Sequence, residues 1–170
     1  MAIQILVPDV AAKIAAGEVI EHPASIVKEL VENSLDAGAT EITVVVEKGG
    51  KQLIQVTDNG RGISADELPI AFERYSTSKI GTVDDLFTID TLGFRGEALA
   101  SIASVSEVRV VSAHGDNEGA DITIINGHIG ESQPAPAVQG TSIMIQNLFY
   151  NTPARKKFLK SHRMEFRKVV

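Results

Sequence analysis

Lys28-Glu29-Leu30-Val31-Glu32-Asn33-Ser34-Leu35-Asp36-Ala37-Gly38-Ala39 is the stretch whose reading decides the fold. Pro23, favoured in a first helical turn, lies ahead of it, and Gly38 is a natural residue just past a helix end. The spacing therefore predicts a helix that starts at Pro23 and stops at Gly38. At about 100° per residue, Glu29, Asn33 and Asp36 fall within roughly 60° of one another. Val27, Leu30, Val31, Ser34 and Leu35 take the opposite side, which is expected to pack on a core. By itself this polar face describes any amphipathic helix. Its chemical meaning comes from glycine-rich turns downstream.

Working outward, Pro8 and Asp9 precede a short predicted helix, Val10 to Ala16, closed by Gly17, and Glu18 to His22 link it to the main helix. On the other side, Ile42 to Glu47 is rich in β-branched residues and reads as a strand. Gly49-Gly50 turns the chain, and Gln52 to Thr57 returns as a second strand ending at Asp58. Asp66 to Tyr75 has helical composition, whereas Ser76 to Thr91 is weakly periodic and is expected to be a mobile loop. Gly96 opens a helix through Ala103. Strand-like runs come next at Ser106 to Ala113, Ala120 to Asn126 and His128 to Gln133, with Asn126-Gly127 as a hairpin signal. Pro134-Ala135-Pro136 reads as a connector, Thr141 to Leu148 as a strand, and Arg155 onward as a basic helix. Early helices and antiparallel hairpins predict an α+β fold, a two-layer α/β sandwich with helices on one face of a mixed, mostly antiparallel sheet.

The 170 residues suffice for one domain with a sizeable core, residues 1–170. No apolar run is long enough to span a bilayer, no secretory signal is visible at Met1-Ala2-Ile3-Gln4, and there are no cysteines. A cytoplasmic, intracellular protein with no membrane partner is the simplest expectation. The net charge of −6 is uneven: seven of the 16 Lys and Arg lie from Arg155 onward, against Glu165 alone among the acids. Such a stretch is either a nucleic-acid contact or a solvated helix face, and the acidic remainder argues against the whole surface coating DNA.

The chemistry gathers at the glycine-rich turns. No G-x-x-x-x-G-K-[ST] occurs and no G-x-G-x-x-G comes after a strand. Asp58-Asn59-Gly60-Arg61-Gly62 instead places a carboxylate at a strand end, with glycines that let the backbone approach a ligand. A carboxylate fixed there accepts a hydrogen bond from an exocyclic amine such as that of adenine. Gly93-Phe94-Arg95-Gly96 precedes a helix start, where free N–H groups favour phosphate, and Lys79 and Arg95 add positive charge. Asn33 offers a neutral oxygen for Mg²⁺. Glu29, one turn away, can orient or deprotonate an attacking water.

Glu29-x-x-x-Asn33, Asp58-x-Gly60-x-Gly62, Gly93-x-x-Gly96 and Gly140-Thr141 resemble, in order, the four nucleotide-binding motifs of the GHKL ATPase superfamily, which has the Bergerat fold. Three longer strings, Ile14 to Ile20, Gly93 to Leu99 and Phe149 to Arg155, closely resemble the N-terminal ATPase region of the MutL family of DNA mismatch repair proteins. The resemblance runs from Ile3 to about Phe166. It implies that Glu29 is the general base, that Asn33 is the Mg²⁺ ligand, and that Asp36 and Ala37 border the nucleotide. Asp58 would bind the adenine amine, supported by Thr141 through a water, with Gly60, Gly62 and Ile63 shaping the pocket. Thr77, Ser78 and Lys79 would belong to a lid, and Gly93, Phe94, Arg95 and Gly96 would wrap the phosphates of ATP or ADP.

It further implies ATP-driven homodimerisation through the segment from Met1 to about Val19, and work with DNA and other mismatch repair proteins in a nucleoid-associated setting. His22 stands where the family often has Arg. A second domain that supplies a lysine to the γ-phosphate, and a separate dimerisation region, are expected to lie outside this chain, which reads as an N-terminal fragment with slow turnover of its own. Two alternatives remain: a non-catalytic DNA- or partner-binding module using the basic C-terminal stretch, and an ATPase of a topoisomerase-like branch. Glu29 argues against the first, and the long strings argue against the second.

Overall fold

The structure is a computed structural model that describes residues 4–76, 96–115 and 118–170. Helix α1 spans Pro8–Val19 and α2 spans Pro23–Asp36, each with proline in its first turn. Strands β1 (Ile42–Glu47) and β2 (Leu53–Asp58) form a hairpin closed by a short 3₁₀ turn at Lys48–Gly50. After α3 (Glu67–Ile70) and α4 (Ala98–Ser104) come β3 (Glu107–Ala113), β4 (Gly119–Ile125), β5 (His128–Ile129), β6 (Gln133–Ala135) and β7 (Gly140–Gln146). Helices α5 (Pro153–Phe158) and α6 (His162–Val169) end the chain.

The seven strands form one sheet in the order β1-β2-β7-β3-β4-β5, with β6 also on β4, and every pairing among the described residues is antiparallel. The α+β expectation holds, and the sheet is antiparallel rather than mixed.

Strand alternation sends every second side chain to one face, and the registers align these side chains into rows. Ile54, Ile145, Val108 and Ile124 form one transverse row; Val56, Ile143, Val110 and Ile122 form the next. All eight are buried, together with Ile26, Val27 and Leu30 of α2. Each fully buried aliphatic side chain of this size contributes about 1.5–3 kcal/mol relative to exposure. Leu35 departs from the expected packing and is 50% exposed. It sits roughly 120° around the helix from the centre of the buried stripe, a residue beyond Ser34.

Other boundaries shift for identifiable reasons. Helix α1 runs through Gly17 to Val19 instead of stopping at the glycine. The helix expected over Asp66–Tyr75 shrinks to α3: beyond Pro69 the backbone bonds become Phe72 N–H to Pro69 O and Glu73 N–H to Ile70 O, tighter turns that end at Tyr75 with φ 63°. The run His128–Gln133 breaks after Ile129. Pro134 and Ala135 of the expected connector join Gln133 in a strand on β4, where Pro134 is tolerated because an edge position needs no N–H. The Asn126-Gly127 turn is present, with φ of 53° and 78° as a type I′ hairpin requires. The basic helix is two helices, because Leu159 is extended and Ser161 starts a new one by accepting the Met164 N–H at 3.4 Å.

Candidate functional site

The two apolar rows continue into a third on the same face: Asp58 pairs with Thr141, and Thr141 with Ser112. Polar side chains thus replace Ile and Val where the sheet meets the C-terminal end of α2. The Asp58 carboxylate is held at both oxygens. Oδ1 accepts the Gly60 N–H at 2.9 Å, and Oδ2 accepts the Ser34 hydroxyl at 2.7 Å. Ser34 Oγ also lies 3.1 Å from Leu30 O, so its single proton has two acceptors within reach. A carboxylate offers about four lone-pair sites, so Asp58 keeps capacity for a donor from a ligand.

Ser112, 1% exposed, organises the other end of the row. Its oxygen accepts the Ile63 N–H at 2.8 Å and lies 2.8 Å from Thr141 Oγ1 and 3.0 Å from Gly140 O. The hydroxyl therefore ties the glycine-rich turn to β3 and β7 at once. Ser112→Ala is expected to cost about 1–3 kcal/mol by leaving the Ile63 N–H unpaired. Denaturant unfolding checks this, and a loss below 0.5 kcal/mol, about the least a net hydrogen bond is worth, would show that water replaces the hydroxyl.

The turn itself is anchored by Asn59, whose Oδ1 accepts the N–H groups of Thr40 and Glu41, each at 2.9 Å, and by Arg61 N–H to Ala37 O at 3.0 Å. Gly62 has φ 72° and its α-carbon faces the Ala113 carbonyl so closely that no side chain fits; Gly140 faces the Asp58 carbonyl in the same way. These two glycines are required by close backbone approach.

Of the expected site residues, Asp58, Gly60, Gly62, Ile63, Ala37 and Thr141 come together around this turn. Glu29, Asn33 and Asp36 are half-buried along α2, on the helix that delivers Ser34 to Asp58. Gly96 has φ 62° and packs against Ser76, where a Cβ would fall 2.6 Å from the Ser76 carbonyl oxygen. Thr77, Ser78, Lys79, Gly93, Phe94 and Arg95 lie outside the described residues, as does most of the loop expected over Ser76–Thr91. Ser34 and Ser112 were not anticipated as site residues. Their signal is a serine at an inward position of an otherwise apolar period: Val108, Val110, Ser112 in the strand, and Leu30, Ser34 in the helix.

Among the described residues, no cluster of three or more His, Cys, Asp and Glu could hold a metal, and no helix is long and apolar enough to cross a membrane. A single neutral amide oxygen, as at Asn33, suits Mg²⁺ shared with substrate phosphates, because that ion keeps several waters.

Residues 20–148 match the model of a family described as histidine kinase-, DNA gyrase B- and HSP90-like ATPase. The chain is 52% identical over 167 residues to the DNA mismatch repair protein MutL of Porphyromonas gingivalis, covering 97% of this chain and 27% of that protein. It is 53% identical over 158 residues to MutL of Staphylococcus aureus strain Newman, covering 93% and 24%. The chain thus spans about a quarter of the length of these curated relatives. Among solved structures, the N-terminal domain of a DNA repair protein superposes with a TM-score of 0.77 at 30% identity, over 94% of this chain and 46% of that one. The Aquifex aeolicus MutL ATPase domain complexed with ADP gives 0.68 at 36% identity, over 89% and 52%.

Proposed function

Since this chain belongs to the histidine kinase-, DNA gyrase B- and HSP90-like ATPase family, we propose that it is a single ATPase domain, residues 1–170, that binds ATP, hydrolyses it with Mg²⁺, and serves DNA mismatch repair. The observation that carries this reading is the polar row that closes the core, with Asp58 fixed by Gly60 of its own turn and by Ser34 of the helix that bears Glu29 and Asn33. Asp58 accepts the exocyclic amine of adenine. Gly62 and Ile63 shape the pocket, and Thr141, held by Ser112, stands beside it.

Glu29 orients the attacking water and takes its proton. Asn33 would hold Mg²⁺, which neutralises charge on the phosphate oxygens when bound. The phosphate roles expected for Lys79 and Gly93 to Gly96 complete the site. Catalysis then rests on positioning and electrostatics more than on covalent chemistry. Nucleotide-driven pairing of two copies through the N-terminal segment is supported by the exposed apolar side chains of Ile5, Leu6, Val7, Val10 and Ile14. DNA and other repair proteins are the proposed partners of the longer protein. The basic stretch lends less to a purely DNA-binding reading than its count suggests, because Arg155 lies against Gly17 and Lys168 is paired with Glu165.

Thermal unfolding with Mg²⁺ and non-hydrolysable analogues of ATP and GTP tests the proposal. An ionised carboxylate only accepts, and guanine presents an oxygen where adenine presents its amine. A shift with the adenine analogue and little with the guanine analogue is expected. Equal shifts would sink the assignment of Asp58 to the base.

A further inference from the structure

The elbow Ile20 to His22 joins two helix ends that lack complementary charges of their own. α1 has no basic residue in its last turn, and α2 has no acidic residue in its first. Helix C-termini favour cations and N-termini favour anions. Both charges arrive from the C-terminal helices instead. Arg155, on α5, lays its guanidinium against Gly17 in the last turn of α1, where any side chain on Gly17 would collide with it. The Arg155 Cζ stands 5.7 Å from the centre of the Phe149 ring, which steadies the guanidinium.

Glu165, on α6, is fully buried. Its Oε1 accepts the Lys160 N–H at 2.7 Å, which suffices to cap the entry to its own helix. Its Oε2 lies 3.7 Å from Nδ1 of His22, the N-cap residue of α2, and 3.4 Å from Lys168 Nζ. Lys168 Nζ in turn lies 3.2 Å from His22 Nε2. Neither Oε2 nor His22 Nδ1 has a hydrogen-bond partner among the described residues. A buried carboxylate oxygen without a hydrogen bond is costly unless positive potential surrounds it. The positive end of α2 and the Lys168 ammonium supply that potential.

We propose that Glu165 is a positioning residue for α2: it holds the first turn of α2 across the elbow while Arg155 holds the last turn of α1, so that the α5–α6 pair sets the pose of Glu29. The activity part of this inference rests on the proposed role of Glu29. Glu29 lies within two turns of the clamp, whereas Ser34 meets Asp58 at the far end of the helix. Loosening the clamp therefore lowers turnover and leaves adenine binding largely intact.

Glu165→Gln keeps the volume and the Oε1 acceptor but removes the charge. Ser25→Glu places an acid in the first turn of α2 itself. In this chain, three quantities separate the possibilities: amide hydrogen exchange over residues 26–29, the dissociation constant for a non-hydrolysable ATP analogue, and turnover per bound nucleotide. Glu165→Gln is expected to speed exchange and lower turnover by about tenfold, the scale of a partly buried charge at a helix end, with the dissociation constant little changed. Adding Ser25→Glu is expected to restore most of both.

Unchanged exchange in Glu165→Gln overturns the proposal. So does a loss that Ser25→Glu does not recover, which would make Glu165 a cap of α6 alone. If Glu165→Gln does not fold, the double variant is expected to fold, and its failure also overturns the clamp. Glu29→Gln run alongside separates the two ideas: retained turnover there removes the Glu29 role, and the exchange result alone then decides the clamp.

Discussion

Glu29→Gln is expected to lower ATP turnover by about 10²–10⁴-fold, the range a positioned general base supplies, with nucleotide affinity nearly unchanged. Glutamine preserves the side-chain volume and one accepting oxygen but has no basic oxygen. The contacts proposed to select the base lie elsewhere, at Asp58, Gly60 and Thr141, so binding and chemistry are expected to separate. Single-turnover hydrolysis and equilibrium binding, measured on the same preparation, give the two terms independently. Turnover within tenfold of the parent would mean that the water is activated by another group, and the carboxylate face of α2 would return to being a solvated helix side.

Asp58→Ala carries the second large effect. Nucleotide at a hundred times its dissociation constant adds about 2.7 kcal/mol to the folded parent, a rise of roughly 5–11 °C in Tm for a chain of this size. The variant is expected to lose that rise altogether. It is also expected to be less stable without ligand, because the Gly60 N–H loses its acceptor, at a cost of about 1–3 kcal/mol. Ser34 suffers less, since Leu30 O already lies 3.1 Å away and can take its proton. Asp58→Asn isolates the ligand term: it can still accept from Gly60 but offers an amide donor where the adenine amine is proposed to arrive. A nucleotide-induced shift that survives both substitutions would place the base pocket away from Asp58.

Much of this was legible in the sequence because local chemistry and periodicity agreed. The helix Pro23–Asp36, the β1–β2 hairpin and the Asn126-Gly127 turn arise from proline, β-branched runs and an Asn-Gly pair, signals that act over a few residues. Tertiary forces overrode local signals elsewhere. Gly17 reads as a helix stop until Arg155, far along the chain, is found to need the space its missing side chain leaves. Pro134 reads as a connector until the exposed edge of β4 is seen to accept it. The turn from Asp58 to Gly62 was legible as a spaced motif, because its carboxylate and glycines announce close contact. Ser34 and Ser112 were not, because a lone serine in an apolar period resembles tolerated core polarity. The partners of Ser112 become visible only when Thr141 on β7, 29 residues away, and the turn at Ile63, 49 residues away, are brought beside it.

The row Asp58–Thr141–Ser112 exists only while β2, β7 and β3 are in their native register. A slip of one residue in β7 would turn Thr141 to the opposite face and bring a neighbour with different chemistry into its place. Ser34 adds a fourth requirement, the docking of α2 on the finished sheet. These contacts join distant parts of the chain, the kind that form late because loop closure must precede them. A partly assembled chain therefore has no weakened pocket; it has none. Nucleotide would ignore incomplete molecules and hold completed ones, so that the ligand of the mature domain would also act as the inspector of its assembly.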